Sequence, residues 1–95
     1  VYLMNDTQAT LNRLGKLPCW KLLNFIIERG GIWTSEDLLI RCELRNYKEF
    51  STIEQINESL EILFSENQII DFGENRFSRN ENLFIWQYRW LKSQY

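Results

Sequence analysis

The sequence predicts a small α+β domain that is mostly helical. Apolar residues recur at helical spacing in several separate segments, and glycines and capping residues punctuate them. One β-branched and aromatic stretch alternates around a turn, as a hairpin does. Ninety-five residues suit one core, read here as an N-terminal helical extension (1–17), a central unit (18–79) and an aromatic C-terminal helix (80–95).

Asn5 or Asp6 is expected to cap a first helix that shows Leu11 and Leu14 on one face and ends at Gly15. Pro18 fits the first position of a second helix, which runs to Arg29 with Cys19, Leu22, Leu23, Ile26 and Ile27 as its apolar stripe. Gly30-Gly31 stops it, because glycine tolerates the left-handed backbone that other residues resist. Ile32-Trp33 is too brief for more than a bridge or one small strand. Thr34 or Ser35 caps a third helix through Glu43, with Glu36 and Asp37 in its first turn and Leu38, Leu39 and Cys42 inward.

Arg45–Glu49 reads as a loop. Ser51 and Glu54 have capping-box spacing at the head of a fourth helix, Ser51–Glu66, whose Ile53, Ile56, Leu60, Leu63 and Phe64 recur at helical spacing. Ile69–Phe72 is the first hairpin strand, Gly73-Glu74-Asn75 the turn and Arg76–Arg79 the returning strand. Asn82 caps a last helix carrying Phe84, Tyr88, Leu91 and Tyr95 on one stripe and Trp86 and Trp90 on the next.

Composition removes whole classes of chemistry. The chain has no histidine, which removes serine–histidine and cysteine–histidine nucleophile systems, histidine metal ligation and the usual general base. Two cysteines do not make a four-ligand zinc site, and no phosphate loop or cofactor fingerprint is present. We expect no enzyme, no catalytic residues, no bound metal and no cofactor. Cys19 and Cys42 read as small buried hydrophobes, which favours a reducing, intracellular setting, cytoplasmic or nuclear; a bridge between them stays open. No stretch approaches the run of about 18 apolar residues that spans a bilayer, so no membrane is expected. A first residue of Val suggests trimming or an excised domain.

The formal charge is −2, so no global attraction to phosphate is expected. The distribution is uneven: no basic residue falls between Lys48 and Arg76, an interval that holds Glu49, Glu54, Glu58, Glu61, Glu66, Asp71 and Glu74. Beyond it, Arg76, Arg79, Arg89 and Lys92 oppose only Glu81. This describes either ordinary mixed surface or a protein with one acidic face and one weakly basic, aromatic face.

The order of elements from Pro18 to Arg79 resembles a winged-helix domain: a three-helix core plus a β-hairpin wing, here with additional N- and C-terminal helices. The resemblance covers about two-thirds of the chain and is one of pattern. It implies that Ile32-Trp33 is the first small strand, that Ser51–Glu66 is the helix such domains lay into the major groove, and that Ile69–Arg79 is the wing. It implies double-stranded DNA as partner, in a transcription regulator or the DNA-contacting part of a larger factor. The terminal helices would be embellishments, which in many such proteins form a dimer.

Candidate nucleic-acid contacts follow. Gln55 and Asn57 are the base-reading types on the fourth helix, although Glu54, Glu58 and Glu61 share it and would repel phosphates. Arg76 and Arg79 on the wing would reach phosphate or the minor groove, or else discourage strand-to-strand aggregation. Arg41, Arg45 and Lys48 form a second basic group; with the wing they imply a log–log salt slope near about −4. The alternative is a protein-interaction or dimerisation module, using the acidic helix face and an aromatic surface of Phe84, Trp86, Tyr88, Trp90 and Tyr95. Those aromatics equally suit core packing, and base stacking beside Arg89 and Lys92 is a third use.

Overall fold

Leu22, Leu23, Ile26 and Ile27 recur on one stripe of the second helix, and each is essentially inaccessible to solvent. The buried cluster of the domain gathers around that stripe. The computed structural model describes residues 2–94, with side chains from Asp6 onward. Its order is α1 (Tyr2–Leu14), α2 (Trp20–Arg29), α3 (Ser35–Leu44), α4 (Ile53–Ser65), β1 (Ile69–Gly73), β2 (Arg76–Arg79), a 3₁₀ turn (Glu81–Leu83) and α5 (Phe84–Ser93). Among the described residues this is a small, mostly helical α+β domain. The element order expected over 18–79 is present.

The ends of the helices differ from expectation for identifiable reasons. Helix α1 begins at Tyr2, so Asn5 and Asp6 lie within it; their preference for caps yields to a helix that packs Leu11 and Leu14 into the core. Helix α2 begins at Trp20 rather than Pro18. Leu17 and Pro18 accept short-range bonds from the amides of Trp20 and Lys21, and the carbonyl of Cys19 is the first to accept an α-helical bond, from Leu23 at 3.1 Å. The capping box of α4 is Thr52/Gln55, one residue later than Ser51/Glu54, because the Ser51 hydroxyl closes the loop by donating to the Lys48 carbonyl at 2.6 Å. Asn80, not Asn82, caps the last segment: its side chain accepts from the Asn82 amide, and a 3₁₀ turn precedes α5.

Helices α3 and α4 end the same way. Asn46 and Asn67 take positive φ (59° and 62°), and the amides three residues past each helix fold back, Tyr47 to the Cys42 carbonyl and Gln68 to that of Leu63, both at 2.9 Å. These are Schellman motifs with Asn in the position usually held by Gly. Thr34 caps α3 in a reciprocal box with Asp37.

The hairpin is antiparallel, with Ile69 opposite Arg79 and Asp71 opposite Phe77. Its turn is two residues, Glu74 and Asn75, at φ 55° and 60°, which matches the right-handed twist of the strands. Gly73 belongs to β1, and a bulge at Phe72 shifts the register beside it. Trp33 joins the hairpin by an isolated bridge to Phe77, with reciprocal amide-to-carbonyl bonds of 2.7 Å. Gly30 and Gly31 turn the chain into that bridge at φ 65° and 73°.

The terminal helices are part of the core rather than embellishments on it. Leu11 and Leu14 of α1 and Trp90 and Leu91 of α5 belong to the same buried cluster as the α2 stripe. Between β1 and α5 lies a buried polar pair: Gln87 donates to the Gln68 carbonyl at 2.8 Å and approaches its Oε1 at 3.2 Å.

Cys19 and Cys42 are both free and buried. Burial pushes both thiols up from 9.0 to about 11. Three predictions follow from this core. Ile26→Ala should cost about 2–5 kcal/mol in urea unfolding, against less than about 1 kcal/mol for the half-exposed Ile62→Ala. Ellman's reagent at pH 8 should titrate neither thiol until denaturant is added. Between pH 9 and pH 11 only the unfolded chain ionises them, so stability should fall as pH rises through that window.

Candidate functional site

The residues expected to read DNA bases lie at the surface but are committed to hydrogen bonds within the domain. Gln55 completes the α4 capping box, its Oε1 accepting from the amides of Ser51 at 2.7 Å and Thr52 at 3.0 Å. Asn57 Oδ1 lies 2.6 Å from the buried Ser35 hydroxyl, which stands 2.7 Å from Asn75 Oδ1 as well. Asn75 in turn donates to Glu36 at 2.6 Å, so the hairpin tip is tied to the head of α3. A tip held this way is folded back on the domain.

Arg79 is equally occupied. Its guanidinium donates to the Ile27 carbonyl at 2.7 Å and to Glu81 at 2.9 Å, lies 3.8 Å from the centre of the Phe84 ring, and covers Gly30. A Cβ on Gly30 would come within 3.1 Å of that guanidinium, so the glycine serves both the backbone turn and the arginine seat. Arg76 is exposed and 4.0 Å from Glu74. The outward row of α4, Glu54, Glu58 and Glu61, is exposed and spread along the helix; among the described residues no group of three or more such side chains converges as metal ligands do.

The aromatic tail divides. Trp90 is a core residue, 2% exposed and packed against Gly15 just past the end of α1, because Gln87, Trp90 and Leu91 form the inward face of α5. Phe84 and Trp86 are half-buried, with Arg79 over the first ring and Arg89 over the second. Tyr88 is exposed beside Lys92. Tyr95 lies outside the described residues.

What the fold does assemble is a basic, aromatic face on the outer side of α2 and α3. Lys21, Phe25 and Arg29 follow one another at four-residue spacing along α2. Phe25 stacks 6.5 Å from Trp33 and lies tilted 6.0 Å from Tyr47, and a cation accompanies each ring: Arg29 with Trp33, Arg45 with Phe25, Lys21 with Tyr47. Each such contact is worth roughly 0.5–1 kcal/mol at an exposed site. Lys21 also holds Glu49 at 2.9 Å, and this hydrogen bond lowers the carboxyl below its usual range. Arg41 lies on α3 one turn before Arg45, the residue that caps its C-terminal end; Lys48 is exposed in the following loop.

Beside this ladder runs a shallow groove of about 540 Å³ between the end of α2, the bridge segment and α3. Arg29 and Arg41 border it, Trp33 and Asp37 line it, and Ile32, Ile40 and Leu44 stand exposed around it at 56%, 56% and 74%. Leu38 and Cys42 fill the inward side of α3, so Ile40 and Leu44, one turn apart, have no core to enter. The sequence held this signal in the four-residue spacings of Lys21-Phe25-Arg29 and Ile40-Leu44, but periodicity does not say which face meets another element.

No family model, curated protein or solved structure matches the chain. No helix among the described residues is long and apolar enough to cross a membrane.

Arg79→Ala should therefore act on the fold. It strands the Ile27 carbonyl and the Phe84 face and should cost about 1–3 kcal/mol in thermal or urea unfolding. An unchanged midpoint would return Arg79 to the solvent-facing role.

Proposed function

We propose that this chain is a non-enzymatic winged-helix domain that works as a protein-interaction module, with the groove between α2 and α3 as its docking surface. The observation that carries this reading is the exposure of Ile32, Ile40 and Leu44 between Arg29 and Arg41. Exposed aliphatic side chains clustered around a concavity favour a protein partner, whereas nucleic-acid interfaces are polar and wet. The arginines add charge selection: an occupant with apolar anchors and flanking carboxylates is attracted and aligned, and a basic one is repelled.

The DNA reading retains Arg41, Arg45, Lys48 and Arg76 as exposed or half-exposed cations. Against it stand the internal commitments of Gln55, Asn57 and Arg79 and the carboxylate row of α4, each member of which repels phosphate near the helix that would enter the groove.

Two measurements test the proposal together. Selection from a displayed peptide library should enrich segments that combine Leu, Ile or Phe with Asp and Glu. Ile40→Ser and Arg41→Glu should each weaken a selected peptide at least tenfold. Anisotropy of a labelled mixed-sequence duplex at low salt should show no saturable binding. Duplex binding that falls steeply with salt and is lost on Arg41→Glu with Arg45→Glu would overturn the proposal in favour of DNA.

A further inference from the structure

The groove has a complement on the same molecule. On the opposite kind of surface, the outward side of α4, Glu58, Glu61, Ile62, Phe64 and Ser65 border a second shallow concavity of about 400 Å³. Ile62 and Phe64 are exposed at 39% and 52%, and Glu54 extends the acidic row by one turn. One surface is apolar with Arg29 and Arg41 at its border, outnumbering Asp37 in its lining; the other is apolar with Glu58 and Glu61 and no cation. They share no residue.

We propose that the groove takes the acidic, apolar ridge of α4 from a second copy of this chain. Phe64 is the anchor that enters beside Trp33, and Glu58 and Glu61 face Arg29 and Arg41. The inference rests on the groove being a docking surface and adds the identity of its occupant. An aromatic anchor seated in a pocket and ringed by charge pairs is the arrangement that concentrates binding energy in protein interfaces. Like-charged alternatives are disfavoured, since groove against groove and ridge against ridge each bring the same sign together. A single groove-to-ridge contact is heterologous and closes into a ring or runs on as an open chain; where both contacts form at once between two copies, the pair is an isologous two-fold dimer.

The test is a charge exchange read by sedimentation velocity. The native chain should sediment faster as its concentration rises, and less so at high salt. Arg29→Glu with Arg41→Glu makes both surfaces acidic, and Glu58→Lys with Glu61→Lys makes both basic, so each variant alone should remain monomeric. Mixed one to one, they should associate again, because each groove then meets a ridge of opposite sign. Phe64→Ser, at an exposed position and without any charge change, should lower the association constant at least tenfold while leaving the circular dichroism unchanged. A native chain that stays monomeric up to about 1 mM, or a mixture that does not recover association, overturns the proposal. Were the selected peptides still to bind in that case, the docking surface would stand and only its occupant would be wrong; were they not to bind, both readings would fall together.

Discussion

Burial of the α2 stripe is the constraint on which the rest of the molecule depends. Leu22, Leu23, Ile26 and Ile27 are removed from water by different neighbours: α4, α5 and β2 all meet this helix, and α1 reaches the same cluster through α5. A small domain has little apolar area to spare, so one helix covered by several elements is an economical way to share it. The outer side of the same helix is then the only one left for Lys21, Phe25 and Arg29. Core and candidate site are thus two sides of one ten-residue segment.

Polar residues do much of the tying that a larger core would do by area. The hairpin is joined to the helices by the Trp33 bridge, by Asn75 on Ser35 and Glu36, and by Arg79 on the Ile27 carbonyl. Its tip is thereby drawn toward α3 and away from the extended posture of a strand pair that reaches for a ligand. With Gln55, Asn57 and Arg79 engaged in internal hydrogen bonds, the outward row of α4 carries glutamates and no cation, whereas α2 and α3 set Arg29 and Arg41 among Glu28, Glu36, Asp37 and Glu43.

Helices α2, α3 and α4 and the hairpin were legible because each has a strong local cause: an apolar stripe, a cap, a turn sequence. The terminal segments were legible as helices but not as core, since Leu11, Leu14, Trp90 and Leu91 show their role only when they meet one another. The buried Gln68–Gln87 pair was invisible for the same reason. Two glutamines nineteen residues apart carry no spacing rule, and only packing puts them out of water together. Site residues were the least legible. Arg41 and Arg45 could be picked out as basic, but the groove that gives Arg41 a use also needs Ile32, Trp33 and Arg29 from another part of the chain.

By itself, the sequence determined a small, mostly helical α+β class, the order of the helices and hairpin strands, the run of acidic residues without a cation between Lys48 and Arg76 and the exclusion of histidine chemistry. These follow from composition and from interactions within a turn or two of backbone, which short-range spacing encodes. The tertiary structure alone decided which polar side chains are spent on holding the fold, which aromatic face of α5 turns inward, and which apolar residues of α3 are left outside. Those outcomes depend on contacts between residues far apart in the chain. A side chain's partners there are set by how the helices and the hairpin pack, and no local pattern records that geometry.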